Sequence, residues 1–125
     1  MLKKGDRLKK LLIVLLVLSA LVSAKSIVLT LDAPDTNISG LAWGDGKLWA
    51  VDEVTDYVYS VNPATGNVES SFYVSHSSAY FPTGLAYSET HNLVLVGLWN
   101  NSTTGYVYKY TPTGTFSGSV DMCGG

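Results

Sequence analysis

The sequence predicts an all-β chain of antiparallel four-stranded units, preceded by one apolar helix. Three observations carry this. First, the stretch from Ile38 to Phe72 is echoed from Pro82 to Val120. Ser39-Gly40-Leu41-Ala42-Trp43 answers Thr83-Gly84-Leu85-Ala86-Tyr87, and Leu48-Trp49-Ala50-Val51 answers Leu93-Val94-Leu95-Val96. Tyr57-Val58-Tyr59 answers Tyr106-Val107-Tyr108, and Pro63-Ala64-Thr65-Gly66 answers Pro112-Thr113-Gly114. Second, each copy breaks into short β-branched and aromatic runs punctuated by Gly, Pro and Asn, with no helical period. Third, residues 1–24 differ in kind from everything after them.

Those first residues begin with Lys3, Lys4, Arg7, Lys9 and Lys10, continue as an apolar run from Leu11 to Val22 broken only by Ser19 and Ala20, and end on Val22-Ser23-Ala24. A basic start, a short apolar stretch and small residues at the cleavage positions make a secretory signal peptide, cut after Ala24. The alternative is a retained membrane anchor, but a span takes about 18 or more apolar residues, and this run stops short of that at Lys25. The chain is therefore expected outside the cytoplasm, touching the membrane only in transit.

Export changes the charge. Removing residues 1–24 leaves Lys25, Lys47 and Lys109 against nine carboxylates, a net charge near −6. An acidic surface repels phosphate backbones and no Lys/Arg cluster offsets it, which excludes nucleic-acid binding. The single cysteine, Cys123, forms no internal disulfide framework. No Cys/His spacing suggests zinc, and His76 and His91 stand alone in polar loops.

In order, Lys25 to Leu31 reads as a β-branched strand, and Asp32 to Asn37, with Pro34, as a turn. Gly40 to Trp43 is the first strand of the first repeat, closed by Gly44-Asp45-Gly46-Lys47, because Gly accepts positive φ in a tight hairpin. Leu48 to Val51 follows, then the polar connection Asp52 to Asp56, then Tyr57 to Val61 with Tyr57, Tyr59 and Val61 on one face. Asn62-Pro63-Ala64-Thr65-Gly66 turns the chain, and the polar run Val68 to Val74 suits an outer edge. Ser75 to Pro82 links to the second copy, which lengthens the first hairpin by one residue at Ser88–Asn92 and the second connection by four at Leu98–Gly105.

A repeat of about 40–45 residues with four short strands is the sequence sign of a β-propeller blade. The domain reading is a signal peptide at 1–24 and a partial propeller at 25–125, with an outer strand and turn at 25–37, one blade at 38–74 and a second at 82–121. By its phase, the strand before Asp32 is the outer strand of a closing blade. Two blades leave two apolar faces uncovered, whereas stacked repeats usually need three or more units. The chain therefore reads as the amino-terminal piece of a larger propeller or a truncated reading frame, with self-association into a ring as the alternative.

Leu48-Trp49-Ala50-Val51-Asp52, Tyr57-Val58-Tyr59-Ser60-Val61-Asn62-Pro63-Ala64-Thr65-Gly66-Asn67-Val68 and Pro82-Thr83-Gly84-Leu85-Ala86-Tyr87 resemble the YVTN and NHL class of propeller repeats. That resemblance implies a fold, and the class spans lyases, hydrolases, sensors and surface-layer proteins. Phe81-Pro82-Thr83-Gly84-Leu85 is similar to the Phe-Thr-Gln-Gly-Leu opening of propeller-type glutaminyl cyclases (glutamine cyclotransferases). There a Leu-Tyr-Glu strand carries the catalytic glutamate; here Leu48-Trp49-Ala50 and Leu93-Val94-Leu95 stand at the matching positions and hold none. If an enzyme, its catalytic residues lie outside these two blades.

Asp52, Glu53 and Asp56 are the only candidates for a hard cation, weighed against a solvated loop that lacks a full ligand set. Trp43, Trp49 and the paired tyrosines offer a sugar-stacking platform, weighed against blade core. Asn37, Asn100 and Asn101 each begin an N-glycosylation sequon. No nucleophilic triad, phosphate loop or redox cysteine pair is present, and no cofactor is implied. The expectation is a secreted or cell-envelope segment that binds a protein or small-molecule ligand, or that associates with itself through its uncovered faces.

Overall fold

The computed structural model describes residues 3–22 and 29–122, and for residues 14–22 the backbone alone. Two compact units, 1–30 and 31–125, divide the chain. The first contains helix α1 (Lys4–Val22), with Asp6 in its first turn, where an acidic side chain complements the helix dipole. Among the described residues no helix is long and apolar enough to cross a membrane. The cleavage position Ala24 and the thiol Cys123 lie outside the described residues.

The second unit is all β. Strands β1 (Ile38–Gly44), β2 (Lys47–Asp52), β3 (Tyr57–Val61) and β4 (Val68–Tyr73) form one antiparallel sheet in that order. Strands β5 (Phe81–Ser88), β6 (Leu93–Trp99), β7 (Gly105–Tyr110) and β8 (Phe116–Asp121) form the other. These two meandering four-stranded sheets are compatible with β-propeller-like blades, and they do not close into a ring. The repeat extends to its irregularities. Register shifts fall between Ile38 and Gly40 and between Pro82 and Gly84, then between Ser60 and Val61 and between Lys109 and Tyr110. Pro82 sits in β5, the edge strand of its sheet next to the register shift, where a residue without an N–H is tolerated.

Local chemistry sets the turns. Asp45 and Gly46, at φ 53° and 66°, give the left-handed pair of a two-residue hairpin. Asn62 Oδ1 accepts from the N–H groups of Ala64 and Thr65, and Thr111 Oγ1 accepts from that of Thr115, so an amide and a hydroxyl fold equivalent turns.

The core lies between the sheets. Trp49, Val51, Val58, Phe72 and Val74 of the first pack on Val94, Val96, Leu98 and Tyr110 of the second. Each such side chain contributes roughly 1.5–3 kcal/mol on burial. The innermost strands approach closely: a Cβ at Gly40 would sit 2.9 Å from the Leu85 backbone nitrogen, and Ser39 Oγ donates to the Pro82 carbonyl at 2.8 Å. Trp49 stacks on Tyr87 at 5.7 Å and donates from Nε1 to the Gly44 carbonyl.

Four expectations change. Of the strand expected at Lys25 to Leu31, residues 25–28 lie outside the described residues, and Leu29, Thr30 and Leu31 belong to no strand. Leu31 instead lies over Gly66, where a Cβ would meet its Cδ2 at 3.2 Å. Trp43 is not core: its strand mate Ala42 faces the second sheet, leaving Trp43 61% exposed on the opposite face. β6 runs on through Trp99 because Trp99 pairs with both Phe81 and Gly105. Finally, Trp43 pairs with Leu48 but Tyr87 with Val94, so Leu48 answers Val94 rather than Leu93. The longer hairpin absorbs two residues, and a one-residue slip would have turned every side chain of β6 to the wrong face.

Candidate functional site

One end of the two sheets encloses a cleft of about 510 Å³, and three connections build its walls. Glu53, Val54 and Asp56 come from the β2–β3 turn, His76, Ser78 and Tyr80 from the link between sheets, Phe81 and Thr83 from β5, and Asn101 from the β6–β7 loop. The two acidic loop residues and the lengthened loop of the second repeat thus meet at one place, which neither repeat reveals alone.

The β2–β3 turn is held by Asp52. Its Oδ1 accepts from the N–H groups of Val54 and Thr55 at 2.8 Å each, and its Oδ2 accepts from that of Asn37 at 2.7 Å. Burial opposes ionisation, but these backbone donors outweigh it and hold the carboxyl below the usual carboxylate range. Asp52 is fully buried, so it is a structural clamp and not the solvated loop residue expected. With its oxygens spent on N–H donors it offers a cation little. Among the described residues no group of three or more His, Cys, Asp or Glu side chains is placed to hold a metal.

Asp56, at φ 60°, reaches the link between sheets, and its carbonyl accepts from Val74 N–H. Its Oδ1 lies 2.9 Å from Nε2 of His76, whose side chain is only 5% exposed. Nδ1 of that ring is 2.7 Å from the Ser77 carbonyl oxygen. His76 therefore does not stand alone in a polar loop. The link returns to the β2–β3 turn, where Val74 N–H meets the Asp56 carbonyl, and nothing in the spacing of Asp56 and His76 announces the pair. Nε2 is buried at ion-pair distance without hydrogen-bond alignment. Both ring nitrogens face oxygens, so the imidazole braces a cleft wall and presents neither nitrogen to an incoming group. His91 bonds Ser88 in the β5–β6 turn.

Tyr80 and Phe81 supply the aromatic lining. Tyr80 packs edge-on against Tyr106 at 5.3 Å and shares a hydrogen bond with Thr104 Oγ1 at 3.0 Å. Asn100 knits the loop: its Oδ1 accepts from the N–H groups of Ser102 and Thr104, and its Nδ2 donates to Thr104 Oγ1. That amide is committed, whereas Asn101 is exposed at the cleft mouth. Asn37 is exposed as well, its Nδ2 donating to Thr36 and its backbone N–H to Asp52.

The position matching a catalytic glutamate of the cyclase resemblance falls elsewhere. Ala50 lies on the first sheet's outer face beneath residues 31–34, and its equivalent by register is Val96, not Leu95, buried between the sheets. Neither borders the cleft. Comparison with known proteins finds no matching family model, no matching curated protein and no matching solved structure.

Proposed function

We propose that the chain is a binding module of β-propeller type, with repeats of the YVTN/NHL kind, exported by its Lys-rich amino-terminal segment and acting outside the cytoplasm. Its ligand is a small molecule or protein loop rich in hydrogen-bond donors. The observation that carries this is the cleft at 53–56, 76–83 and 101. It is a concave site joining carboxylates to aromatic walls with a few hydroxyl and amide groups, the usual make-up of a ligand pocket. Glu53 and Asp56 favour a cationic group, and the faces of Tyr80 and Phe81 suit its apolar part.

The test is a titration of the full chain with a polyamine and a lysine-rich peptide against an anionic control of equal size, followed by amide chemical shifts. Shifts should gather at Glu53, Asp56, Thr83 and Asn101 for the cations alone, and Glu53→Gln should weaken them about five- to tenfold. Shifts scattered over both sheets, or equal response to the anion, would contradict the reading.

A further inference from the structure

We propose that the two outer faces of the sheet pair recognise each other, so that a second copy of this chain docks head to tail. The inference is independent of what the cleft binds. It rests on an interface the molecule already contains: the first sheet packs on the second through Gly40, Ala42, Trp49, Val51, Val58 and Phe72. By hydrogen-bond register, Gly84, Ala86, Leu95, Gly97, Val107 and Val120 hold the same positions one repeat on, facing away from the first sheet. The face that receives Trp49 is likewise repeated. Tyr87, Val94 and Val96 answer to Trp43, Leu48 and Ala50, on the first sheet's outer side.

The two faces share their main features, with one difference: Lys109, beside Leu95 on the docking face, stands where the first repeat buries Ser60. At Gly40 the bare backbone lets the strands touch; at Gly84 the backbone is equally bare, and nothing stands within 4 Å of where a Cβ would be. The receiving face leaves Leu41 and Trp43 about three-fifths exposed. Beside Leu41, Leu48 and Ala50 it holds an apolar recess of about 170 Å³, walled on its other side by the chain's own residues 31–34. Leu95 answers Trp49, which stacks on Tyr87 in the existing interface, so in the docked pair Leu95 meets Trp43. The peripheral seat is already taken: Leu31 covers Gly66 as Phe72 covers Gly114. The incoming copy therefore engages through β5, β6 and β7. Ser88, standing where the first repeat has Gly44, meets Trp43, whose exposed ring has room to turn. Because the two faces differ, the contact is heterologous and propagates rather than pairing two identical patches.

The test uses full-length chains in which Cys123→Ser removes the native thiol, one carrying Trp43→Cys and the other Leu95→Cys. Under mild oxidation a disulfide dimer should form when the two are mixed and not from either alone. Sedimentation of the unmodified chain should show concentration-dependent association, weakened at least tenfold by Ala86→Arg, an exposed position whose substitution leaves the monomer intact by circular dichroism. A disulfide dimer of the Leu95→Cys chain with itself would overturn the head-to-tail geometry. A monomer up to about 100 µM, or association indifferent to Ala86→Arg, would overturn the docking.

Discussion

The two sheets descend from one pattern and solve the same turn differently. After β2, Asp52 places a buried carboxylate under three backbone N–H groups. In the second sheet the equivalent residue is Leu98, inside β6 and buried in the core, and Asn100 holds the longer loop through a neutral amide. A strand end can thus be capped by charge where the connection is short, and by an amide where added residues carry the chain clear of the core. The carboxylate turn is tighter and sensitive to acid. The amide loop is neither, and it frees Asn101 to reach the cleft.

The same contrast governs which residues matter. The largest expected difference is between two tryptophans of adjacent strands. Trp49→Ala empties the inter-sheet core and should cost about 3–5 kcal/mol. Trp43→Ala, on the exposed face, should stay within about 0.5 kcal/mol. Denaturant unfolding of dilute full-length chain measures both, and similar losses would place the core elsewhere.

Next come two turn glycines. Gly114 has φ 90° and lies under Phe72, whose Cβ would be 2.4 Å from an added methyl group, whereas at Gly66, φ 77°, the neighbour is the flexible end of Leu31 at 3.2 Å. Alanine at either pays the left-handed strain of about 1–3 kcal/mol. Gly114→Ala adds overpacking of about 1–3 kcal/mol and should therefore melt lower than Gly66→Ala.

Acid should separate the sheets further. The hydroxyl of Tyr59 at 2.7 Å, with Thr36 N–H and the Thr55 hydroxyl, lowers the carboxyl of Asp35; Asp52 is lowered despite its burial. Groups with depressed folded values contribute stability that is present above their unfolded pKa of about 3.9 and lost as pH falls through the folded value. Amide exchange should therefore accelerate around Val54, Thr55 and Asn37 below about pH 4 while Ser102 and Thr104 hold. Asp52→Asn should remove most of that dependence and cost about 1.5–3 kcal/mol. Asn100→Ala should cost about 1 kcal/mol at every pH.

Much of the fold was legible because the repeat states it twice. Gly44 to Lys47, Asn62 to Gly66 and the Tyr-Val-Tyr strands announce hairpins and faces by local chemistry alone. The register of β6 was not, because a five-residue hairpin can absorb one residue or two and both choices leave an apolar strand. Nor was the burial of Asp52, since a carboxylate before a polar turn looks solvated until three N–H groups close on it. The cleft was hidden for a different reason. Its residues come from three connections and strand β5, and only the packing of one sheet on the other brings Glu53, His76 and Asn101 to one cleft.

The central claim is that one repeat position has two fates, covered in the first sheet and open in the second. Gly40 and Gly84 decide it. A methyl group at Gly40 meets backbone at 2.9 Å, while at Gly84 it meets nothing within 4 Å, and neither residue has positive φ. Unfolding of the two alanine variants at low concentration should give a loss of about 1–3 kcal/mol for Gly40→Ala and less than about 0.5 kcal/mol for Gly84→Ala. Equal losses, or a larger one at Gly84, would contradict the packing of the first sheet on the second.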